Sequence, residues 1–283
     1  MRIDDTSRDL IRLALREDLG GYGDVTSEWT VAADTRSEGF LVTRDRAVVS
    51  GLDLAAAVLA EVDGAAVFER MVQDSAVVEP GARLARLEGV ARSLLAAERT
   101  LLNVLAHVCG VATQARRFSE AVSGTAAVVV DTRKTFPGLR VWEKKAVRDG
   151  GCANHRFGLF DMVLIKDNHV VAGGGVAATV RRARKAAPFS MKVEVEVADE
   201  QGLRDALAAG ADIVMLDNVS VSELGRLVRL AREFDPGVLL EASGRVDLDT
   251  VRAVAESGVD IISSSRLTSG APPVDIGFDL DLT

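Results

Sequence analysis

The chain has 283 residues, 48% of them hydrophobic and 27% charged, which is ordinary globular composition and enough length for one large domain or two modest ones. A formal net charge of −8 argues against non-specific nucleic-acid binding, because the long-range term is repulsive. Cys109 and Cys152 have the spacing of neither a disulfide framework nor a zinc site, the amphipathic N-terminus has no signal-peptide core, and no apolar run approaches a membrane span. A cytoplasmic protein with no membrane partner is therefore expected.

In chain order, residues 8–18 read as a short amphipathic helix. Residues 39–51 read as two β-prone runs around a polar turn, 52–62 as a helix, and VFERMVQDSAVV and ARLARLEG as further strands. The stretch ARSLLAAERTLLNVLAHVCG has apolar residues at helical spacing and is expected to close on Gly110. This first third reads as an α+β domain. From about residue 125 short β-branched runs (AAVVVD, DMVLIKD, KVEVEV, DIVMLDN, VLLEASG, VDIISSS) alternate with helical segments such as VSELGRLVRLAREF. Strands with so little polar alternation are buried on both faces, and the alternation argues for parallel β/α architecture, with a complete or incomplete barrel expected over an open sheet, two forms that periodicity alone does not separate.

Each of these runs ends on a polar or charged residue: Asp131 with Arg133 and Lys134, Lys166 with Asp167, Glu196, Asp217 with Asn218, Glu241 with Ser243, and Ser263 to Ser265. In β/α barrels the C-terminal strand ends converge on the active-site face. The segment 131–169 is strongly basic in an acidic protein. Lys144, Lys145 and Arg148 fit a solvated helix face. Arg133, Lys134, His155, Arg156 and Lys166 follow strands or sit in Gly-rich turns, where they can converge on a multiply anionic substrate. Salt bridges to Asp131, Asp161 and Asp167 are the structural alternative. Glu196 and Asp217, at the ends of adjacent strands, suit Mg²⁺ held largely through substrate and water, or the hydroxyls of a sugar; Glu194 shares a face with Glu196. Ser243–Gly244 and Ser263–Ser265 suit phosphate, a weak signal taken alone. Lys166 has a competing role as a Schiff-base nucleophile. His107, in an apolar helix, reads as a packed histidine, whereas His155 and His169 are better candidates for chemistry.

GDVTS (23–27), ERTLLNVLAHVCGVAT (98–113), DTRKTFPGLR (131–140), NHRFGLFDMVLIKDNH (154–169), VEVEV (193–197), ADIVMLDN (211–218) and LLEASG (239–244) together resemble the quinolinate phosphoribosyltransferase family. The resemblance spans nearly the whole chain in order. It implies an α/β protein with an N-terminal α/β sandwich (1–112, joined by the tail 272–283) and a C-terminal open β/α barrel (113–271) of the type II phosphoribosyltransferase kind. It implies transfer of phosphoribosyl from phosphoribosyl pyrophosphate to quinolinate with decarboxylation, giving nicotinate mononucleotide, pyrophosphate and CO₂ for NAD biosynthesis, with Mg²⁺ as cofactor. It also implies a homodimer in which Arg99 enters the partner's site. Carried over by motif, Arg99, Arg133, Lys134, His155, Arg156 and Lys166 meet the quinolinate carboxylates, Glu196 and Asp217 serve ribose and Mg²⁺, and Ser243, Gly244, Arg245 and Ser265 bind the sugar phosphate. Lys134, Lys166, Glu196 and Asp217 are the expected catalytic residues.

The departures from the family pattern cluster in the phosphate loops. Arg245, Ser265 and Ser269 stand where the family usually has Gly, Gly and His, with Arg266 beside them, and upstream Cys152 replaces a usual Gly. Three outcomes follow. Guanidinium groups take over the phosphate contacts, or the chain acts on a related aromatic acid or a different donor, or it is a dicarboxylate-binding pseudoenzyme.

Overall fold

A computed structural model describes residues 3–282, which fall into two compact units. One comprises the chain up to Arg116, Thr135–Gly151 and the residues from Gly270 on; the other comprises Arg117–Lys134 and Cys152–Ser269. The segment 135–151 thus groups with the first unit, whereas the sequence reading placed it in the barrel.

The first unit holds strands β1 (Arg36–Thr43), β2 (Ala47–Val48), β3 (Val67–Arg70), β4 (Val77–Val78) and β5 (Arg83–Val90). Its helices are α1 (Asp5–Leu19), α2 (Val25–Thr30), α3 (Leu52–Val62), most of α4 (Ala91–Ala121) and α5 (Arg140–Asp149). Asp4 starts α1 by accepting the Ser7 N–H at 2.8 Å. The C-terminal strand, Ile276–Leu282, pairs antiparallel with β1, and β1 in turn pairs antiparallel with β5, which pairs with β3. Leu52, Leu54, Leu59, Leu94, Leu101 and Leu105 are fully buried and supply much of this unit's core.

Three sequence expectations change here. Helix α4 does not stop at Gly110 but continues to Ala121. A Cβ on Gly110 would lie 2.1 Å from the Pro272 carbonyl oxygen, so this glycine permits close backbone approach instead of capping a helix. An 18-residue stretch of α4 reaches a mean hydropathy of 1.3, enough in length and composition to cross a membrane, yet 56% of it is buried inside the protein, as in a core helix. Finally, Lys144 and Lys145 are not a solvated helix face. Lys144 is buried, and Lys145 is bonded to Asp74 at 2.7 Å and to Asp149. His107 is packed as expected, 2.8 Å from Glu143 and edge-on to Phe136. Both cysteines are buried and neither forms a disulfide with another described residue, and burial pushes the Cys109 thiol up to about 12.

The second unit is built on a parallel sheet of β6 (Val128–Val130), β7 (Val163–Ile165), β8 (Val193–Val197), β9 (Ile213–Asp217), β10 (Leu239–Ser243) and β11 (Ile261–Ser263). The strand order is β6-β11-β10-β9-β8-β7, so β6 and β7 form the two edges and the sheet stays open. Helices α6 (Asp167–Gly173), α7 (Val176–Ala186), α8 (Glu200–Ala208), α9 (Val221–Phe234) and α10 (Val251–Glu256) connect the strands, as parallel pairing requires. Val193, Val195, Val214, Leu216, Leu240 and Ile262 are completely or almost completely buried, the reason these runs lack polar alternation. Arg232 in α9 binds Asp260 through two bonds of 2.6–2.7 Å, and Asp260 also accepts the Leu240 N–H. This fixes a helix to the strand starts.

Candidate active site

Pleating decides which side chains reach the C-terminal edge of the six-stranded sheet. Glu194 and Glu196 lie two apart in β8, as do Met215 and Asp217 in β9, and Glu241 and Ser243 in β10. Each pair therefore shares a face. The register sets Glu196 beside Met215 and Met215 beside Glu241, with Asp217 beside Ser243 one layer nearer the edge. The sheet thus presents an outer layer of polar groups over an inner layer that includes buried acids.

Two adjoining cavities open on this face. The first, about 340 Å³, is lined by Arg133, Lys134, His155, Arg156 and Lys166 above Leu164, Met215 and Glu241. The second, about 350 Å³, is lined by Glu196, Asp217, Asn218, Ser243–Val246 and Ser263–Arg266. Thr132, Lys134, Lys166, Ser243 and Ser263 border both. Every residue carried over to the site by motif lines one or both cavities except Arg99, which is exposed on α4 in the first unit.

The loops are held by local bonds. Buried Asp131 accepts from Asn154 Nδ2 at 2.7 Å and from the His155 N–H at 2.9 Å, tying 153–155 to the end of β6, where Val130 bridges Ala153. The Lys134 carbonyl accepts from Thr268 Oγ1 at 2.8 Å. Asp161 accepts the Phe157 and Gly158 N–H groups. These acids therefore shape the backbone. Lys166 Nζ donates to Glu196 at 2.7 Å. His169 lines neither cavity; its Nδ1 accepts the Lys166 N–H at 3.0 Å at the start of α6.

His155 sits deepest. Its Nε2 lies 3.2 Å from Glu194 and 3.3 Å from Glu241, both fully buried. Burial works against a charged ring here, but the two carboxylates outweigh it and push His155 up to about 9. Glu194 is raised to about 7, chiefly by burial. The Arg156 backbone nitrogen lies 2.7 Å from Nδ1, at the other end of the ring. His155 forms part of the lining of the first cavity. Arg156 is shifted down by burial and by its neighbour Arg133, against the pull of Glu194 and Asp161.

In the second cavity Asp217 accepts from Asn218 Nδ2 at 2.6 Å. Gly244 has φ 101°, and a Cβ there would lie 2.5 Å from Asn218 Oδ1, so glycine is required. Arg245 also has positive φ, 53°. Its side chain is exposed on the cavity wall and makes no hydrogen bond or ion pair with another described residue. Ser264 caps the short 3₁₀ turn Ser265–Leu267, and its hydroxyl donates to the Val246 carbonyl at 2.7 Å.

Glu194, Glu241, Asn218 and Thr132 were not singled out as binding residues from the sequence. For the two glutamates a signal existed: carboxylates inside otherwise apolar buried strands, Glu194 two residues from Glu196.

A parallel α/β sheet carrying a cationic cavity and an adjoining carboxylate- and serine-lined cavity at its C-terminal edge defines an enzyme class that handles small polyanions. Residues 24–109 match the quinolinate phosphoribosyl transferase N-terminal domain, and residues 111–279 match the C-terminal domain of the same family. The chain belongs to the quinolinate phosphoribosyltransferase family. It is 44% identical to a nicotinate-nucleotide pyrophosphorylase (carboxylating) of Mycobacterium leprae over 98% of each chain. It is 36% identical to a probable enzyme of that name from Bacillus subtilis, over 94% of this chain and 91% of the relative. The solved nicotinate-nucleotide pyrophosphorylase of Francisella tularensis superposes with a TM-score of 0.91 at 38% identity, covering 98% of this chain and 96% of that one.

Proposed function

We propose that this chain is a nicotinate-nucleotide pyrophosphorylase (carboxylating), joining quinolinate to phosphoribosyl pyrophosphate and releasing pyrophosphate and CO₂. The observation that carries this reading is the pair of adjoining cavities sharing Lys134 and Lys166. One has the guanidinium groups of Arg133 and Arg156 to grip the carboxylates of a planar diacid. The other has Glu196 and Asp217 beside serine-rich loops suited to a sugar phosphate.

The chemistry follows from that division. Arg133, Lys134, Arg156 and Lys166 hold the diacid so that its ring nitrogen faces the anomeric carbon, a positioning contribution. As the bond to pyrophosphate breaks, positive charge develops on the sugar, and the carboxylates of Glu196 and Asp217 stabilise it. The nitrogen–carbon bond then makes the pyridine nitrogen cationic. The adjacent carboxylate leaves as CO₂, its bonding electrons stay on the ring carbon next to that cationic nitrogen, and a proton replaces it.

Glu196 and Asp217 each use one oxygen in a protein hydrogen bond, so their remaining oxygens suit Mg²⁺ held partly through substrate and water. The ion's contribution when bound is to neutralise the leaving pyrophosphate. Arg245 and Arg266 take the place of backbone contacts at the phosphate. We further place the enzyme in the cytoplasm as a homodimer, with Arg99 reaching the partner's site. The Schiff-base reading of Lys166 is disfavoured, because its Nζ is bonded to Glu196 and does not stand in an apolar pocket.

The test is incubation with quinolinate, phosphoribosyl pyrophosphate and Mg²⁺, following nicotinate mononucleotide. Turnover abolished by Arg133→Ala is expected; quinolinate binding without turnover would sink the transferase reading.

A further inference from the structure

The inner layer of the sheet carries an arrangement with no part in the contacts proposed above. Glu194 in β8 and Glu241 in β10 are fully buried, and their carboxylates converge on His155 Nε2 at 3.2 and 3.3 Å. Nε2 has one hydrogen to share between them, and no described protein group makes a well-formed hydrogen bond to any of the four carboxylate oxygens. Burying two carboxylates this incompletely matched is unfavourable, and apolar residues of similar volume ordinarily make a more stable core. Valines and leucines fill the neighbouring positions Val193, Val195, Leu240 and Leu216. The two acids lie under the one place where cations crowd: Glu241 lines the first cavity together with Arg133, Lys134, Arg156 and Lys166. His155 Nδ1, at the other end of the same ring, lies 2.7 Å from the backbone nitrogen of Arg156. A chain of contacts therefore runs from the buried acids through the imidazole to the residue that grips the substrate.

We infer that Glu194 and Glu241 are positioning residues for the diacid: they fix the His155 ring and, through it, the Arg156 end of the carboxylate grip. Their negative charge also lets Arg133 and Arg156 stand side by side before an anionic ligand arrives. They touch neither the sugar donor nor the reacting carbon. Their effect falls on the diacid alone.

This inference rests on the proposed use of quinolinate, and the experiment separates the two. Wild type, Glu194→Gln and Glu241→Gln are compared for the KM of each substrate, for kcat, and for quinolinate affinity by calorimetry. The substitutions keep shape but remove one carboxylate facing His155 Nε2, so some loss of melting temperature is expected, and the ratio of the two KM values, not stability, decides. The expected result is a rise of roughly 10- to 100-fold in the KM and Kd for quinolinate, with the KM for phosphoribosyl pyrophosphate unchanged. Unchanged constants for both substrates overturn the inference, as does an equal rise in both with a lowered melting temperature, which marks general loosening. Should Glu241→Gln fail to fold, Glu241→Asp, which keeps the charge but draws it back from Nε2, decides on the same ratio of KM values. A wild-type protein that neither binds nor turns over quinolinate overturns the functional reading itself, whereas wild-type turnover with unaltered variants overturns only the positioning role.

Discussion

Arg245→Gly separates what this residue costs the fold from what it contributes to the site. Arg245 holds φ at 53°, a conformation that costs an ordinary L-residue about 1–2 kcal/mol. Glycine removes that strain but gains freedom in the unfolded chain, an opposing effect of about 0.4–1 kcal/mol. The variant is therefore expected to be more stable, by about 0.5–1 kcal/mol. At the site the change runs the other way. The exposed guanidinium lines the second cavity without a partner among the described residues, placed to bind a phosphate. Losing one charge-assisted bond, discounted for its exposure, is expected to raise the KM for phosphoribosyl pyrophosphate about tenfold. The salt dependence of that KM should also become shallower, because one cation is gone. Urea denaturation and steady-state kinetics at two ionic strengths read both effects. A destabilised variant, or one with an unchanged KM for the donor, would refute the reasoning that strain is tolerated here for phosphate binding.

Three further outcomes follow from the geometry. Gly110→Ala should destabilise the protein by about 1–3 kcal/mol, because its Cβ would meet the Pro272 carbonyl at 2.1 Å, although alanine favours helix; stabilisation on denaturation would contradict the packing account. His155 binds its proton more tightly folded, at about 9, than unfolded, near 6.5, so its stabilising contribution is complete below pH 6.5 and is lost as pH rises through 9. The loss is on the order of 3 kcal/mol at most. Unfolding midpoints that stay flat between pH 6.5 and 9.5, or fall equally in His155→Asn, would show that the trio holds no such proton. Asp217→Asn should lower kcat by about 10²-fold at saturating substrates while leaving the melting temperature near wild type, and a variant with full kcat removes Asp217 from the chemistry.

Much of the fold is legible in the sequence, because parallel strands buried on both faces leave apolar runs with clear ends. The run VSELGRLVRLAREF is α9 from its first residue to its last. Failures arise where tertiary contact overrides local chemistry. Gly110 has the look of a helix stop until Pro272, far along the chain, explains it. Lys144 and Lys145 look solvated until burial and the partners Asp74 and Asp149 are seen. The outer layer of the site was readable because it follows strand ends. The convergence of the inner acids was not, since nothing local in the sequence shows that His155, on the loop after α5, reaches both Glu194 and Glu241.

The central claim is that the two cavities bind a pyridine diacid and a phosphoribosyl donor for a single coupled reaction. Its most direct test is the stoichiometry of products from quinolinate and phosphoribosyl pyrophosphate with Mg²⁺, set beside the same assay with nicotinate, which lacks the second carboxylate. The account expects equal amounts of nicotinate mononucleotide, pyrophosphate and CO₂ from quinolinate and far slower turnover of nicotinate. Equal use of both acids, or pyrophosphate release without CO₂, would contradict it.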